Sequence, residues 1–325
     1  MYDKFYRFSG VPFLLTPDTR FFFGSSGHSR AISHLVYGLS QQEGFIVITG
    51  EVGAGKTMLV EHLWSRLDRS TYVIARIVTT QVSADDLLRL VMTKFGLGDV
   101  QGVDKAVLLL RFEHMVRAQR DTGKRCLLVV DEVQNLSLAA LEELRMLSNI
   151  TVDDRASVQT ILLGQPQFRP ILAGPDAEQL RQRVLASFHL GPLSETECQQ
   201  YIEHRLRTVG WAGDPEWEDA ATAAVYRHTG GIPRRINTLC SRVLLFGALE
   251  ETHTITAAMV DATADELQQD LGAGLPLSSG QSWQAGDKED DLMRRIEVLE
   301  KIAERQGRAF RRMLDLLGAG EGAQT

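Results

Sequence analysis

An apolar run, Phe45-Ile46-Val47-Ile48, passes directly into Gly50-Glu51-Val52-Gly53-Ala54-Gly55-Lys56-Thr57. The second stretch is a complete G-x-x-x-x-G-K-[ST] phosphate-binding loop. It stands where such a loop must stand, between a short buried strand and a helix. Gly50, Gly53 and Gly55 allow the tight backbone path that turns successive N–H groups onto one anion. Lys56 supplies a point charge for the β and γ phosphates, and the Thr57 hydroxyl suits Mg²⁺. The helix expected from Met58 to Leu67 directs its positive dipole end at the same phosphates. Residues from Gly50 to Met58 are thus the expected nucleotide cradle, with ATP and Mg²⁺ as ligands.

A second motif says what happens to the nucleotide. Cys126-Leu127-Leu128-Val129-Val130 is continuously apolar, as in a parallel strand covered on both faces, and it ends in Asp131-Glu132. Ligands of open α/β sheets lie at the carboxyl ends of the strands, so both acids are expected to face the phosphate loop. Asp131 suits Mg²⁺ held through water, and Glu132 suits polarisation of an attacking water. An adjacent Glu at this position points to hydrolysis rather than passive binding.

The rest of the first two-thirds alternates strand and helix. A leader carrying Val11-Pro12-Phe13 and Phe21-Phe22-Phe23 precedes a helix from about His28 to Ser40. Its rings are expected to pack on the core or against the adenine edge. Strands follow at Tyr72–Thr79 and Val158–Leu163, with a short one at Phe188-His189-Leu190. Helices are expected from Ser83 as N-cap to Phe95, from Asp104 to Gln119, and over Leu138–Ser148. Interleaved strands and helices imply a parallel sheet covered on both faces. From Ser194 the strands stop. Ser194-x-x-Glu197 is a capping box that opens a helix to about Val209, and further helices run to about Leu267. The expected fold is an α/β P-loop NTPase with a helical lid and a C-terminal helix. Its parts are a leader and first helix (1–43), an αβα core (44–193), a lid (194–267), a Gly/Ser-rich linker (268–287) and an amphipathic segment (288–318). In that last segment Leu292, Ile296, Leu299, Ala303, Gln306, Phe310, Met313 and Leu317 alternate spacings of four and three. Two readings stand for it, a coiled coil or a lone helix docked on the body.

With 325 residues and 44% hydrophobic content, the chain can bury one large core and a smaller one. A net charge of −7 argues against a surface built throughout for nucleic acid, without excluding a local basic patch. Cys126, Cys198 and Cys240 lack C-x-x-C spacing, so buried thiols in a reducing compartment are expected. The start lacks a basic region followed by a long apolar stretch, and no apolar run approaches bilayer length. The expectation is a cytoplasmic protein, peripheral to the inner membrane only through a partner.

Three further features complete the pattern. Ile161-Leu162-Leu163-Gly164 runs into Gln165-Pro166. Leu180-Arg181-Gln182-Arg183-Val184 precedes the short strand ending in Pro192-Leu193. Gly230-Gly231-Ile232-Pro233-Arg234-Arg235-Ile236-Asn237 places Pro near a helix start, ahead of two arginines. Taken by themselves, Gln165 could shape a turn and the arginines could be a solvated face.

Together with the phosphate loop and the Asp-Glu strand, these stretches resemble the AAA+ superfamily. The resemblance implies that Gln165 orients the lytic water and that Arg183, with Arg181 in reserve, is an arginine finger acting on a neighbour's γ phosphate. It also implies that Arg234, or Arg235, reaches from the lid to the nucleotide. A ring-shaped, hexamer-like homo-oligomer follows from the same likeness. More narrowly, the leader (Pro12-Phe13, Thr16-Pro17-Asp18, His28), Gly44-Phe45 through Thr57, Val130 through Leu136 and Leu163-Gly164-Gln165-Pro166 are similar to the secretion ATPases related to general secretion pathway component A. Thr79-Thr80-Gln81, Glu143 through Asn149 and Tyr201 through Leu206 look most like the ATPases of exosortase, or PEP-CTERM, exopolysaccharide systems. The likeness covers about residues 1–265. The sequence departs from component A itself, which carries a membrane span and a wall-binding domain.

Three functions are therefore weighed: an ATP-driven switch or motor for envelope polysaccharide or protein export, a DNA-associated ATPase regulator of the transposition type, and a nucleotide-gated scaffold with little turnover. Acidic composition disfavours the second, and the intact acidic pair disfavours the third.

Overall fold

The computed structural model describes residues 2–272, apart from 69, 79–81, 153–154 and 157. The heptad segment 288–318, the linker beyond 272 and Thr79-Thr80-Gln81 lie outside the described residues.

Five strands form the central sheet: β1 (Phe45–Gly50), β2 (Tyr72–Val78), β3 (Arg125–Asp131), β4 (Val158–Gly164) and β5 (Val184–Leu190). Their order is β2-β3-β4-β1-β5, and every pairing is parallel. The inner strands β1 and β4 are buried along their whole length, in keeping with the apolar runs Phe45-Ile46-Val47-Ile48 and Ile161-Leu162-Leu163, and the buried Gln159 amide donates to Gly38 O and Glu43 O. β5 is an edge strand with alternating burial and starts four residues earlier than the expected Phe188. In its first half, Val184-Leu185-Ala186-Ser187, only Ala186 is buried and Ser187 ends the apolar run after three residues.

Two layers of helix cover the sheet. α1 (Ser26–Gln41) and α2 (Lys56–Arg66) lie on one face, where Ala31, Leu35, Leu39, Leu59, Val60 and Leu63 meet Ile46, Ile48, Val129 and Ile161. α3 (Ala84–Lys94), α4 (Lys105–Asp121) and α5 (Leu138–Ser148) lie on the other, packing Leu87, Phe112 and Leu144 on Val47, Leu128 and Leu162. The expected caps hold at Ser83, whose hydroxyl accepts from Asp86 N, and Asp104 caps α4 rather than opening it.

The lid consists of α6 (Glu195–Thr208), α7 (Asp219–Thr229), α8 (Pro233–Leu249) and α9 (Ala257–Gly272). The capping box at Ser194 and Glu197 closes in both directions. Two expectations are corrected here. Glu216–Trp217 and Thr254–Ile255 pair as a small parallel ladder inside the lid, too short to carry a periodic signal. The last helix also runs on to Gly272, past the boundary expected at 267.

The leader's rings pack into the core, as expected, and they divide between two clusters. Tyr2, Tyr6, Phe8, Phe13 and Phe21 join the lid's apolar cluster, among Tyr201, Leu206, Ile236 and Val243, while Phe22 packs on the sheet side, stacked on His62 of α2. Arg205 of α6, itself 5% exposed, pins this strap. Its guanidinium donates to Pro12 O (2.6 Å), Leu14 O (3.3 Å) and Tyr201 Oη (2.7 Å), and lies 4.6 Å from the Phe21 ring centroid. Cys126, Cys198 and Cys240 are buried free thiols, and burial pushes the first two up to about 12. Among the described residues no helix is long and apolar enough to cross a membrane.

Candidate active site

The site lies at the carboxyl ends of β1, β3 and β4. Ala54 N bonds to Glu51 O, closing the turn, while Gly53 (φ 84°) and Gly55 (φ 100°) take left-handed conformations. Both glycines are also sterically required. A Cβ on Gly55 would sit 2.8 Å from His28 Nε2, and one on Gly53 would collide with the Cβ of Arg234. Gly50 faces the carbonyl of Leu190 in the same way. Glu51 and Val52 are exposed at the loop's rim, Ala54 is buried beneath it, and Met58 is half-buried in the first turn of α2.

Lys56 is 7% exposed, and its ammonium donates to Gly50 O (2.7 Å) and Glu51 O (3.0 Å). Burial lowers its pKa, opposed by the charges of Glu132, Asp131 and Glu51. Thr57 Oγ1 donates to Asp131 Oδ2 at 2.8 Å, bringing together the two oxygens expected at Mg²⁺. Asp131 is 4% exposed, and its Oδ1 accepts from Glu132 N.

Glu132 adopts φ 56°, ψ 39°, a left-handed conformation that is costly for a residue with a Cβ. The backbone there turns into the short 3₁₀ segment Val133–Asn135, and the Glu132 carboxylate points towards the end of β4. Oε2 accepts from Gln165 Nε2 at 3.0 Å and from Gln134 Nε2 at 2.6 Å. Asp131, Glu132 and Gln165 are thus gathered at one edge of the phosphate loop.

Arg234 opens α8 against that loop, with its N–H donating to Gly53 O at 3.2 Å. Its side chain is exposed, as is that of Arg235. Arg183 lies elsewhere. It immediately precedes β5, its carbonyl accepts from Phe45 N at the start of β1, and its Nη1 donates to Ser148 Oγ at 3.3 Å. The length of β1, about 20 Å, separates it from its own phosphate loop. Arg181 is occupied with the carbonyls of Ala173 and Leu172 that end a short helix.

Sequence reasoning left three contributors unassigned. Arg76 on β2 bridges Glu61 of α2 (2.7 Å) and Asp131 Oδ2 (3.6 Å), so a cation stands behind the Asp131 carboxylate. His28, buried under the loop, bonds through Nδ1 to Ser25 Oγ at 2.7 Å. Burial drives its pKa down to about 4, against a weak upward pull from Glu197, so its ring is neutral near pH 7. Gln134 links Glu132 to β4. An exposed-looking polar residue in a strand-exit turn carries no periodic signal, and only the partner strand reveals its role.

These donors fit a magnesium nucleotide. The glycine cradle leaves room for phosphate oxygens, Lys56 is a buried cation turned towards main-chain carbonyls, and Thr57 with Asp131 offers the hard oxygen ligands Mg²⁺ prefers.

Comparison with known proteins bears on the fold. The AAA domain family matches residues 39–172. General secretion pathway protein A of Aeromonas hydrophila is 34% identical over 287 residues, which is 88% of this chain and 51% of that protein. The chain thus spans about half the length of the curated relative it matches. Among solved structures, Cdc6p from Pyrobaculum aerophilum superposes with a TM-score of 0.62 at 15% identity, over 85% of this chain and 74% of that one. The ADP form of the Aeropyrum pernix ORC2 protein gives 0.58 at 16%, over 84% and 74%. The Thermotoga maritima RuvB Holliday junction branch migration motor gives 0.51 at 18%, over 77% and 71%. At these identities the structures speak for fold alone. Site geometry, domain match and topology converge: the chain has the fold of an AAA+ P-loop NTPase.

Proposed function

We propose that this chain binds and hydrolyses Mg·ATP and works as an energy-coupling switch or motor of the secretion-ATPase group. The observation that carries the reading is the joint geometry of Thr57, Asp131, Glu132 and Gln165 beside the phosphate loop. Bound Mg²⁺ would neutralise charge on the β and γ phosphates. Lys56 would exchange its two carbonyl partners for phosphate oxygens, and Thr57 and Asp131 would hold the metal. Glu132, steadied by Gln165, would orient and deprotonate the attacking water. Arg234, seated on Gly53, would report lid position to the γ phosphate. Arg183, a sheet's length from its own site, would serve the site of a neighbouring subunit in a ring-shaped homo-oligomer.

The likeness to general secretion pathway protein A supports a role in export, with the inner membrane reached through a protein partner. The finer assignment, to an exosortase-linked exopolysaccharide system, rests on the Glu143–Asn149 and Tyr201–Leu206 stretches. Replacing Glu132 by Gln tests the catalytic reading: hydrolysis should fall about 10²- to 10³-fold while ATP binding persists. Equal turnover in the two proteins would remove Glu132 from the mechanism.

A further inference from the structure

We infer that Gln134 is a positioning residue that clamps the Glu132 carboxylate to the end of β4, an inference that rests on the hydrolytic reading of this site. The side-chain amide of Gln134 is used at both ends. Nε2 donates to Glu132 Oε2 at 2.6 Å, and Oε1 accepts from the backbone N–H of Gln165 at 2.9 Å. Gln165 Nε2 returns to the same Glu132 oxygen at 3.0 Å. The three side chains form a closed loop of hydrogen bonds: Glu132 to Gln134, Gln134 to the Gln165 main chain, Gln165 side chain back to Glu132.

The backbone is shaped for this closure. Glu132 sits in the left-handed region, which reverses the chain after β3 and sends Val133–Asn135 across towards β4. Val133 is fully buried, and Leu136 nearly so, anchoring the turn from below. The approach needs a glycine on the opposite strand. A Cβ on Gly164 would fall 2.9 Å from Val133 Cγ2 and 3.1 Å from Phe168 Cβ. Left-handed strain at a residue with a Cβ persists only when its surroundings over-determine it. The Gln134 clamp and the buried Val133 supply that determination.

The consequence is chemical. A carboxylate that must aim one water at a phosphorus cannot swing about its χ angles, and two amide donors on one oxygen fix its plane. Because one of those donors belongs to Gln165 and the other is tied to the Gln165 backbone, movement of the β4 end moves the base as well. Gln134, bonded to Glu132 Oε2 and Gln165 N, acts through Glu132.

The test is a double-mutant cycle in the full chain, read as kcat, KM and the dissociation constant for Mg·ATP. Gln134→Met keeps the side-chain length and removes both hydrogen bonds, and Gln134→Glu keeps the acceptor for Gln165 N but removes the donor. Each should lower kcat about 10- to 100-fold with KM and ATP affinity within about twofold of wild type. Placed on Glu132→Gln, Gln134→Met should change turnover no further, because the group it positions is gone. Gly164→Ala should reproduce the kcat loss by pushing Val133 off the strand. A wild-type kcat in Gln134→Met, or the same fold-loss in both backgrounds, would overturn the positioning role. A wild-type protein that neither binds nor hydrolyses Mg·ATP would instead refute the underlying reading of the site, and this inference with it.

Discussion

Replacing Gly53 by Ala should unseat the lid from the phosphate loop, and a second glycine provides the control. Gly53 (φ 84°) and Gly96 (φ 88°) have nearly the same positive φ. A Cβ at Gly96 meets nothing within 4 Å, whereas one at Gly53 collides with the Cβ of Arg234. An alanine in the left-handed region costs about 1–2 kcal/mol, and this is all that Gly96→Ala should lose. Arg234 Cβ cannot rotate away, because it is fixed to a backbone whose next turn buries Ile236, Leu239 and Cys240. The seam must therefore open by roughly 1 Å before the carbons reach contact distance. That displacement strains the Arg234 N to Gly53 O hydrogen bond, worth about 1 kcal/mol, so the total for Gly53→Ala should reach about 2–3 kcal/mol. Urea unfolding of both variants measures the difference, and calorimetric titration with Mg·ATP measures the functional arm. Affinity should weaken at least about tenfold in Gly53→Ala, near 1.4 kcal/mol, and hold in Gly96→Ala. Equal stability losses with unchanged ATP affinity in both would refute a lid seated on Gly53.

Three further outcomes are expected. Lys56→Ala should abolish the rise in Tm produced by Mg·ATP, since the triphosphate would lose its buried counter-charge; a wild-type shift would contradict the site. Arg183→Ala subunits should bind ATP normally yet hydrolyse it poorly, and mixing them with Lys56→Ala subunits should restore part of the activity. A turnover per molecule that stays constant across a dilution series, from a species that light scattering finds monomeric with ATP, would rule out the trans-acting role. The third concerns pH. His28 titrates at about 4 in the fold against an ordinary 6.5, so below 6.5 the unfolded chain binds a proton the folded chain refuses. Stability should fall as pH drops from about 6.5 to 4, by about 3 kcal/mol in full, and His28→Gln should flatten that slope in urea unfolding at each pH.

Where a function depends on consecutive residues, the sequence was legible. The phosphate loop, the Asp131-Glu132 strand end and the Ser194 capping box are local patterns, and each stands in the fold as expected. The inner strands announced themselves through short apolar runs, such as Phe45-Ile46-Val47-Ile48 and Ile161-Leu162-Leu163, and the buried Gln159 beside the second run is tolerated because its amide donates to Gly38 O and Glu43 O. Of the edge strand β5 only Phe188-His189-Leu190 was legible, since its first half is just partly buried, and the two-residue ladder at Glu216–Trp217 was too short to leave a pattern. The leader's burial was legible but its location was not. Aromatic content says that Phe13 and Phe21 will be buried, but not which apolar cluster takes them.

That choice is made by Arg205, which lies 193 residues from Pro12 in the chain. This buried guanidinium is tolerable because two leader carbonyls, the Tyr201 hydroxyl and the Phe21 face replace its water. The same strap then continues through Ser25 into α1 and brings His28 under Gly55, while Glu197 of the lid accepts from Ser26 N at 2.8 Å. The two left-handed glycines of the phosphate loop are therefore seated against different bodies. Gly55 meets a ring carried by the leader helix, and Gly53 meets the first turn of a lid helix. Any change in lid angle reaches the loop twice, directly through Arg234 and through the strap that Arg205 ties to the lid. A phosphate loop held from two sides in this way would carry lid movement to Lys56 without a hinge of its own, as the energy-coupling role proposed above requires.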